Sequence, residues 1–214
     1  MSAPRYKILK NRTRADGDMR GWSLHKRSGT ETVYYVVIAT KLAKQSGECT
    51  RSKLLESNQG RHSLTLSRQG MHFITVHAES GGDTTARDYR AVQLQYLARA
   101  HESAGGNACV MAGDFNLRQG EEQVLLAEGW RDSVCQFADV ERNDVWTWAR
   151  GEFSARYDRV YIRAGLTKPT HLKVIATPND CQEATKQRPG ASRTRGIKLR
   201  SGGGVRFNAQ GMCI

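Results

Sequence analysis

The chain has 214 residues, 38% of them hydrophobic, and a formal net charge of +12. This is enough apolar sequence for one domain with its own core, which excludes a chain that is disordered throughout. The excess of positive charge favours a polyanionic partner such as nucleic acid, and ordinary solubility charge is the alternative.

The cysteines and the N-terminal residues argue against secretion. The five cysteines form no C-x-x-C pair, so they indicate neither a disulfide framework nor a zinc site. The opening "MSAPRYKILKNRTR" has no apolar core of a signal peptide, and no segment approaches the roughly 18 apolar residues of a membrane span. We therefore expect an intracellular protein with no membrane partner; the nucleus is the favoured compartment and the cytoplasm is the alternative.

Strand patterns dominate the first part of the chain. "ETVYYVVIATKL", residues 31–42, is rich in β-branched and aromatic residues and predicts a buried strand. "RHSLTLSRQGMHFITVHAES" predicts a hairpin with its turn at Gln69 and Gly70. This hairpin delivers His77 to the end of a strand.

A helix follows, because the apolar period changes after residue 80. The apolar residues Tyr89, Val92 and Tyr96, with Leu97 and Ala100 beside them, recur at helical spacing, which predicts a stripe that packs into the core. Asp83 or Thr84 is the expected N-cap, and the pair Gly105-Gly106 is expected to stop the helix.

The second half of the domain mixes strands with one short helix. "ACVMAGDFN" predicts a strand and "EEQVLLAEG" a helix, and three more strands are predicted in "VWTWA", "ARYDRVYIR" and "THLKVIAT". Hairpins and crossovers together indicate a sheet sandwich flanked by helices.

We divide the chain into a lead-in at 1–30, the domain at 31–180 and a tail at 181–214. The tail is rich in Arg, Lys, Gly and Ser and predicts a disordered basic segment. It could bind phosphates without sequence preference through counterion release. The alternatives are a solvated end with no role and translated sequence foreign to the original domain.

Asp114 and Asn116 stand where the strand "VMAGDFN" surfaces, and they suit phosphodiester hydrolysis. In an extended segment both would point to one side, where a carboxylate can activate water and an amide can contact a phosphate oxygen. Gly113 would let the backbone approach the site. The alternative interpretation is an Asx turn that caps the following helix.

Three other features point to the same chemistry. His77 ends another strand and could contact phosphate or protonate a leaving group, although such a His is more often structural. Asp158 interrupts an apolar strand and needs a partner, either Arg156, Arg159 or a catalytic His. Trp148, with Trp146, offers a stacking face for bases, and core packing is the alternative.

The order of "TVHAES", a helix, "VMAGDFNL", "WTWAR" and "ARYDRVYIR" resembles the endonuclease/exonuclease/phosphatase superfamily, which includes DNase I, and most closely its 5'-tyrosyl-DNA phosphodiesterase 2 group. The resemblance runs from about residue 34 to 163. It implies a DNase I-like four-layer α/β/β/α sandwich, Mg2+ or Mn2+ as the cofactor, and DNA 5' ends as the partner.

The resemblance also implies roles for individual residues. The catalytic residues would be Asp114, Asn116, His77 and Asp158, with Asp114 also binding the metal. Ser80, Trp148 and Arg118 would bind the substrate.

Three family segments are not recognised in this chain. These are the N-terminal strand bearing Asn, the segment bearing the metal-binding Glu, and the C-terminal S-D-H segment, whose His would be the partner of Asp158. We therefore expect an incomplete version of the fold. The leading function is a metal-dependent phosphodiesterase that hydrolyses 5'-tyrosyl-DNA linkages in DNA repair. The alternative is an inactive family member that binds nucleic acid through its basic surface and tail.

Overall fold

The computed structural model describes residues 23–26, 36–40, 49–57, 60–68, 70–105, 108–136, 147–150, 153–163, 169–176, 193–201 and 206–210. In chain order the elements are β1 (Ser23–Lys26), β2 (Val37–Thr40), β3 (Cys49–Leu54), β4 (His62–Arg68), β5 (Met71–His77), α1 (Thr84–Ala98), β6 (Ala108–Asp114), α2 (Gln123–Ala127), β7 (Arg131–Asp132), β8 (Trp148–Arg150), β9 (Phe153–Ala155), β10 (Asp158–Arg163), β11 (Pro169–Ala176), β12 (Arg193–Ser201) and β13 (Arg206–Gln210).

A six-stranded mixed sheet carries the centre of the domain, in the order β3-β4-β5-β6-β10-β7. The predicted hairpin is confirmed as β4 and β5, which pair antiparallel and turn at Gly70, with a φ of 70°. The strands β5 and β6 pair in parallel, so α1 forms the crossover between them. The strand β10 then pairs antiparallel with β6 on its other side. This arrangement brings the ends of β5 and β6 and the start of β10 to one edge.

Of the apolar stripe predicted on α1, Leu97 is fully buried and Ala100, just beyond the helix end, packs against the core, but Val92 and Tyr96 lie outside the buried face. Val92 and Tyr96 are 43% and 40% exposed, and the buried face instead contains Ala86, Arg90, Gln93, Leu94, Leu97 and Ala98. The apolar pattern failed because two polar side chains on the buried face satisfy backbone groups of neighbouring loops, as described below. Asp83 is confirmed as the N-cap, because its carboxylate accepts the Ala86 N–H. The helix ends at Ala98, before the glycine pair that was predicted to stop it.

The core lies between α1 and the six-stranded sheet. Leu97, Met111, Phe115 and Tyr161 are fully buried there, and the rings of Phe115 and Tyr161 meet edge to face at 5.1 Å. Trp130 closes one side of the core and donates its indole N–H to the Ala98 carbonyl at 2.9 Å. Each large apolar side chain buried in this way contributes about 1.5–3 kcal/mol.

A second sheet contains the order β11-β12-β8-β9, with β13 paired to β12. It lies against the first sheet where β12 and β13 contact β10 and β13 contacts β6. Two of its strands, β12 and β13, lie within the segment 181–214, so the expectation of a disordered tail does not hold for those residues. Pairing with β11 and β13, and with β8 at Arg193 and Thr194, satisfies the backbone groups of β12. The rest of 181–214, and the lead-in 1–30 apart from β1, lie outside the described residues.

The strands predicted in "ACVMAGDFN", "VWTWA", "ARYDRVYIR" and "THLKVIAT" and the short helix in "EEQVLLAEG" are confirmed as β6, β8, β10, β11 and α2. Of the strand predicted at 31–42, the described part is β2. The strands β1, β3, β7 and β9, like β12 and β13, were not anticipated. In the part of the chain that the structure describes, no helix has the length and apolarity needed to cross a membrane.

Candidate active site

Three strand ends place His77, Asp114 and Asp158 side by side. His77 is the register partner of Asp114 in the parallel pair β5-β6, and Asp158 is the register partner of Asp114 in the antiparallel pair β6-β10. Directly opposed residues present their side chains on the same face of a sheet, with their Cβ atoms about 4.5–5.5 Å apart. The row therefore holds one imidazole and two carboxyl groups, and His77 Nε2 lies 3.7 Å from Asp114 Oδ2.

Gly113 permits this close pairing. A Cβ atom placed on Gly113 would lie 2.0 Å from the Val76 carbonyl oxygen, which is far inside van der Waals contact. Its φ of 154° is also one that residues with a side chain rarely adopt. The glycine before Asp114 is thus required for β6 to approach β5.

The Asp114-Asn116 segment differs in part from both interpretations made from the sequence. Asp114 Oδ1 accepts the Asn116 N–H at 3.0 Å, which is an Asx turn, but α2 begins only at Gln123, so the turn does not cap a helix. The expected extended geometry is wrong beyond Asp114, because Asn116 has a φ of 49° and its amide donates to the Ala78 carbonyl at 3.1 Å. Asn116 therefore joins the loop after β5 to the end of β6.

His77 is held as a neutral imidazole by Arg61. The Arg61 guanidinium donates to His77 Nε2 at 2.8 Å, and since a guanidinium has no acceptor, this ring nitrogen must be the acceptor. Burial, together with the charge of Arg61, lowers the pKa of His77 to about 3. His77 therefore does not carry the second proton that the predicted role in protonating a leaving group requires at neutral pH.

Asp158 does not pair with either of the arginines considered from the sequence. Arg156 makes two hydrogen bonds to Asp132, at 3.0 and 2.6 Å, and Arg159 pairs with Glu122 and Asp132. Arg159 follows Asp158 directly in β10, so its side chain projects from the opposite face of the sheet.

Thr147 takes the place of a charged partner for Asp158. Its Oγ1 accepts the backbone N–H groups of Tyr157 and Asp158 at 3.0 Å each, and the nearby Thr147 hydroxyl lowers the pKa of Asp158. Burial and the nearby Asp114 raise the pKa of Asp158 to about 8, although the Thr147 hydroxyl acts to lower it. Asp158 therefore holds a proton at neutral pH. Burial also raises the pKa of Asp114, although the Asn116 N–H and two arginines oppose the shift.

The residues assigned to substrate binding surround this row. Ser80 Oγ accepts a hydrogen bond from Arg61 at 3.1 Å. The Arg118 guanidinium lies over the Tyr157 ring at 4.8 Å, and the Trp148 ring packs on Tyr157 at 5.7 Å. All seven residues predicted for the site are therefore gathered near one edge of the sheet, with Trp148 joined to it through Tyr157. Trp146 lies outside the described residues.

Sequence reasoning missed Arg61 and Thr147. Arg61 is 2% exposed and contacts His77 and Ser80, yet it stands before β4 in an ordinary polar stretch. The signal that could have found it is the charge itself, because an arginine next to an apolar strand must find partners if it is buried. Thr147 belongs to the "WTWAR" segment, and nothing in that sequence distinguishes its hydroxyl from that of an ordinary strand threonine.

The donor set near Asp114 is compatible with a divalent cation. Mg2+ binds in proteins through one or two carboxylates, with substrate phosphates and water as its other ligands. Asp114 and Asp158 are adjacent carboxyl groups whose pKa values are both raised, so a cation between them would relieve their repulsion. Among the described residues there is no cluster of three or more His, Cys, Asp or Glu side chains able to hold a metal.

Comparison with solved structures agrees with this architecture. The chain is similar to a humanized TDP2 of D. rerio (TM-score 0.63, 21% identity, covering 83% of this chain and 75% of that one) and to D. rerio TDP2 complexed with single strand DNA product (TM-score 0.64, 20% identity, 85% and 77%). It is also similar to a 3' phosphatase, NExo, from Neisseria bound to product DNA hairpin (TM-score 0.61, 15% identity, 93% and 95%). No protein-family model and no curated protein matches the sequence. The chain thus has the DNase I-like fold, which the motif order predicted.

Proposed function

We propose that this protein is a phosphodiesterase that acts on DNA ends and that its preferred substrate is a 5'-tyrosyl-DNA linkage. The observation that carries the proposal is the row of His77, Asp114 and Asp158, flanked by the cations of Arg61 and Arg118. The DNA products bound to two of the similar structures support nucleic acid as the substrate class.

The protonation states favour a leaving group that departs without a proton. At neutral pH His77 is uncharged, and Asp158, which holds a proton, is only 3% exposed. Among the described residues of the site, neither of these groups presents an acidic proton to a substrate. A tyrosine phenolate, with a pKa of about 10, leaves far more easily than an alkoxide, whose conjugate acid is about as weak as water, near 15.7. The linkage between DNA and tyrosine therefore suits this site better than an internal phosphodiester.

The side chains of this site would divide the remaining work. Asp114, whose side chain is 33% exposed and whose pKa is raised by burial, would accept a proton from the attacking water. The guanidinium of Arg118 would bind the phosphoryl oxygens, together with Ser80, which accepts a hydrogen bond from Arg61. Asp114 would also hold Mg2+ or Mn2+, which would supply charge neutralisation at the phosphoryl group.

The test is hydrolysis in Mg2+ of a 5'-phosphotyrosyl oligonucleotide, beside the same oligonucleotide with only internal phosphodiesters. We expect tyrosine release to be at least about a hundredfold faster than internal cleavage. A general acid accelerates the departure of a poor leaving group by about 10²–10⁴-fold, and internal cleavage at this site would proceed without one. Asp114→Asn should abolish release, and a chelator should do the same. Asp88→Asn, the same change at an exposed site on α1, is the control and should release tyrosine at the parental rate. Equal rates for the two substrates would contradict the leaving-group argument.

A second function is binding of nucleic acid without turnover. It is favoured by the neutral His77, which cannot act as an acid, and by the net charge of +12. Binding that weakens steeply with salt, with no Mg2+-dependent product from folded protein, would support this function and overturn the first.

A further inference from the structure

Arg90 is a buried cation in the middle of α1 that serves two loops of the site. Its side chain is 1% exposed. Its Nε and one terminal nitrogen donate to the two oxygens of Glu121, both at 3.0 Å, and its other terminal nitrogen donates to the Gly81 carbonyl at 2.8 Å. Arginine is almost never fully buried unless it is paired, so this placement requires all of these partners.

Glu121 passes the contact on to Arg118. The Glu121 oxygen that accepts Arg90 Nε also accepts the backbone N–H of Arg118 at 2.9 Å. Burial alone would raise the pKa of Glu121, but the hydrogen bonds from Arg90 and Arg118 outweigh it and hold the pKa below its ordinary value. Glu121 is therefore an anion fixed between two arginines.

The Gly81 carbonyl also connects Arg90 with Arg118. It accepts from Arg90 at 2.8 Å and from the Arg118 side chain at 3.3 Å. The other terminal nitrogen of Arg118 donates to the Asn116 carbonyl at 3.1 Å, and the guanidinium rests on the Tyr157 ring. The loop that follows Ser80 and the loop that follows Asn116 are thus joined through a single buried side chain.

We propose that Arg90 is a positioning residue: through Glu121 and the Gly81 carbonyl it holds Arg118 and Ser80 in the geometry that binds a terminal phosphate. This inference rests on the proposed function for its ligand. It assigns no contact between Arg90 and substrate, since Arg90 is enclosed by protein.

A purely structural role makes a different prediction. Replacing both members of a buried ion pair with apolar residues of similar volume is often neutral or stabilising, because the desolvation cost disappears. The double variant Arg90→Met with Glu121→Leu should therefore fold. If the pair only supports the fold, this variant keeps parental function; if the pair positions Arg118, it folds and loses binding.

The experiment measures the affinity of a single-stranded oligonucleotide that carries either a 5'-phosphate or a 5'-hydroxyl, in chelator, for the parent, the double variant and Arg90→Lys. The parent should prefer the 5'-phosphate, and both variants should lose about tenfold in that preference, because lysine keeps the charge but not the planar two-bond contact. Leu97→Ala, a core truncation on the same face of α1, is the control: it should lower stability without changing the preference. A folded double variant with the parental preference would overturn the proposal.

A second readout separates this inference from the proposed function. Hydrogen exchange at the Arg118 backbone N–H reports whether Glu121 is held in place, with no ligand present. Faster exchange there in folded Arg90→Lys, and not in Leu97→Ala, supports positioning even if the parent binds no oligonucleotide, a result that would count against the proposed function alone. Unchanged exchange would overturn the inference.

Discussion

Replacing Thr147 with valine should destabilise the protein far more than the change in shape suggests. Thr147 is fully buried, and its hydroxyl oxygen accepts two backbone N–H groups, those of Tyr157 and Asp158. Valine has nearly the same shape but no acceptor, so both donors would stay buried without a partner. Each unsatisfied buried donor costs about 1–3 kcal/mol.

The total is about 2–6 kcal/mol, a large share of the roughly 5–15 kcal/mol that stabilises a typical domain. Serine is the matched control, because it keeps the hydroxyl and loses only one methyl group, which costs about 1 kcal/mol. Valine also removes the hydroxyl that lowers the pKa of Asp158, so that pKa should rise further.

The assay is equilibrium unfolding in urea of the parent, Thr147→Val and Thr147→Ser, with the slope compared between them. If the slopes differ, the substitution has changed the compactness of the unfolded or native state, and the midpoints alone do not measure stability. Valine and serine variants of equal stability would refute the reasoning, because serine keeps the hydroxyl acceptor that valine lacks.

Three further predictions follow from the same region. An unfolded aspartate has a pKa of 3.8 and folded Asp158 has one of about 8, so between these pH values the folded state keeps a proton that the unfolded state has lost. The free energy of unfolding in metal-free buffer should therefore fall by about 1.4 kcal/mol per pH unit between pH 4 and 8. The urea midpoint of Asp158→Asn should fall less steeply over the same range. Gly113→Ala should cost at least about 3 kcal/mol, through the clash with the Val76 carbonyl and the strained φ, and a thermal midpoint equal to that of the parent would contradict this. Arg61→Met should raise the pKa of His77 by removing the nearby charge, while burial keeps it below 6.5; an NMR titration of His77 in chelator that shows no rise would exclude that role for Arg61.

The site residues at strand ends could be predicted from the sequence, but the buried arginines that hydrogen bond to the site and its loops could not. His77, Asp114 and Asp158 could be found because each follows or opens an apolar strand in a recognisable motif. Arg61 and Arg90 could not, since their importance comes from three-dimensional partners far along the chain.

The face of α1 was misjudged for the same reason. A pattern of apolar residues treats arginine and glutamine as exposed, whereas Arg90 and Gln93 are buried because loops supply acceptors and donors for them. The strands within 181–214 were missed because their composition is polar and their pairing is with strands formed elsewhere. Tertiary context decided each of these cases.

The parallel pairing of β5 with β6 also sets when the site can appear during folding. His77 and Asp114 meet only after α1 has crossed the sheet, and Asp158 joins them from still farther along the chain. Contacts between such distant segments carry the largest loop-closure entropy and form slowly. Local hairpins such as β4-β5 should therefore form in microseconds, well before the row is complete. Capture of a 5'-phosphorylated oligonucleotide, followed in stopped flow during refolding, would report the arrival of the last strands as a phase slower than the gain of secondary structure.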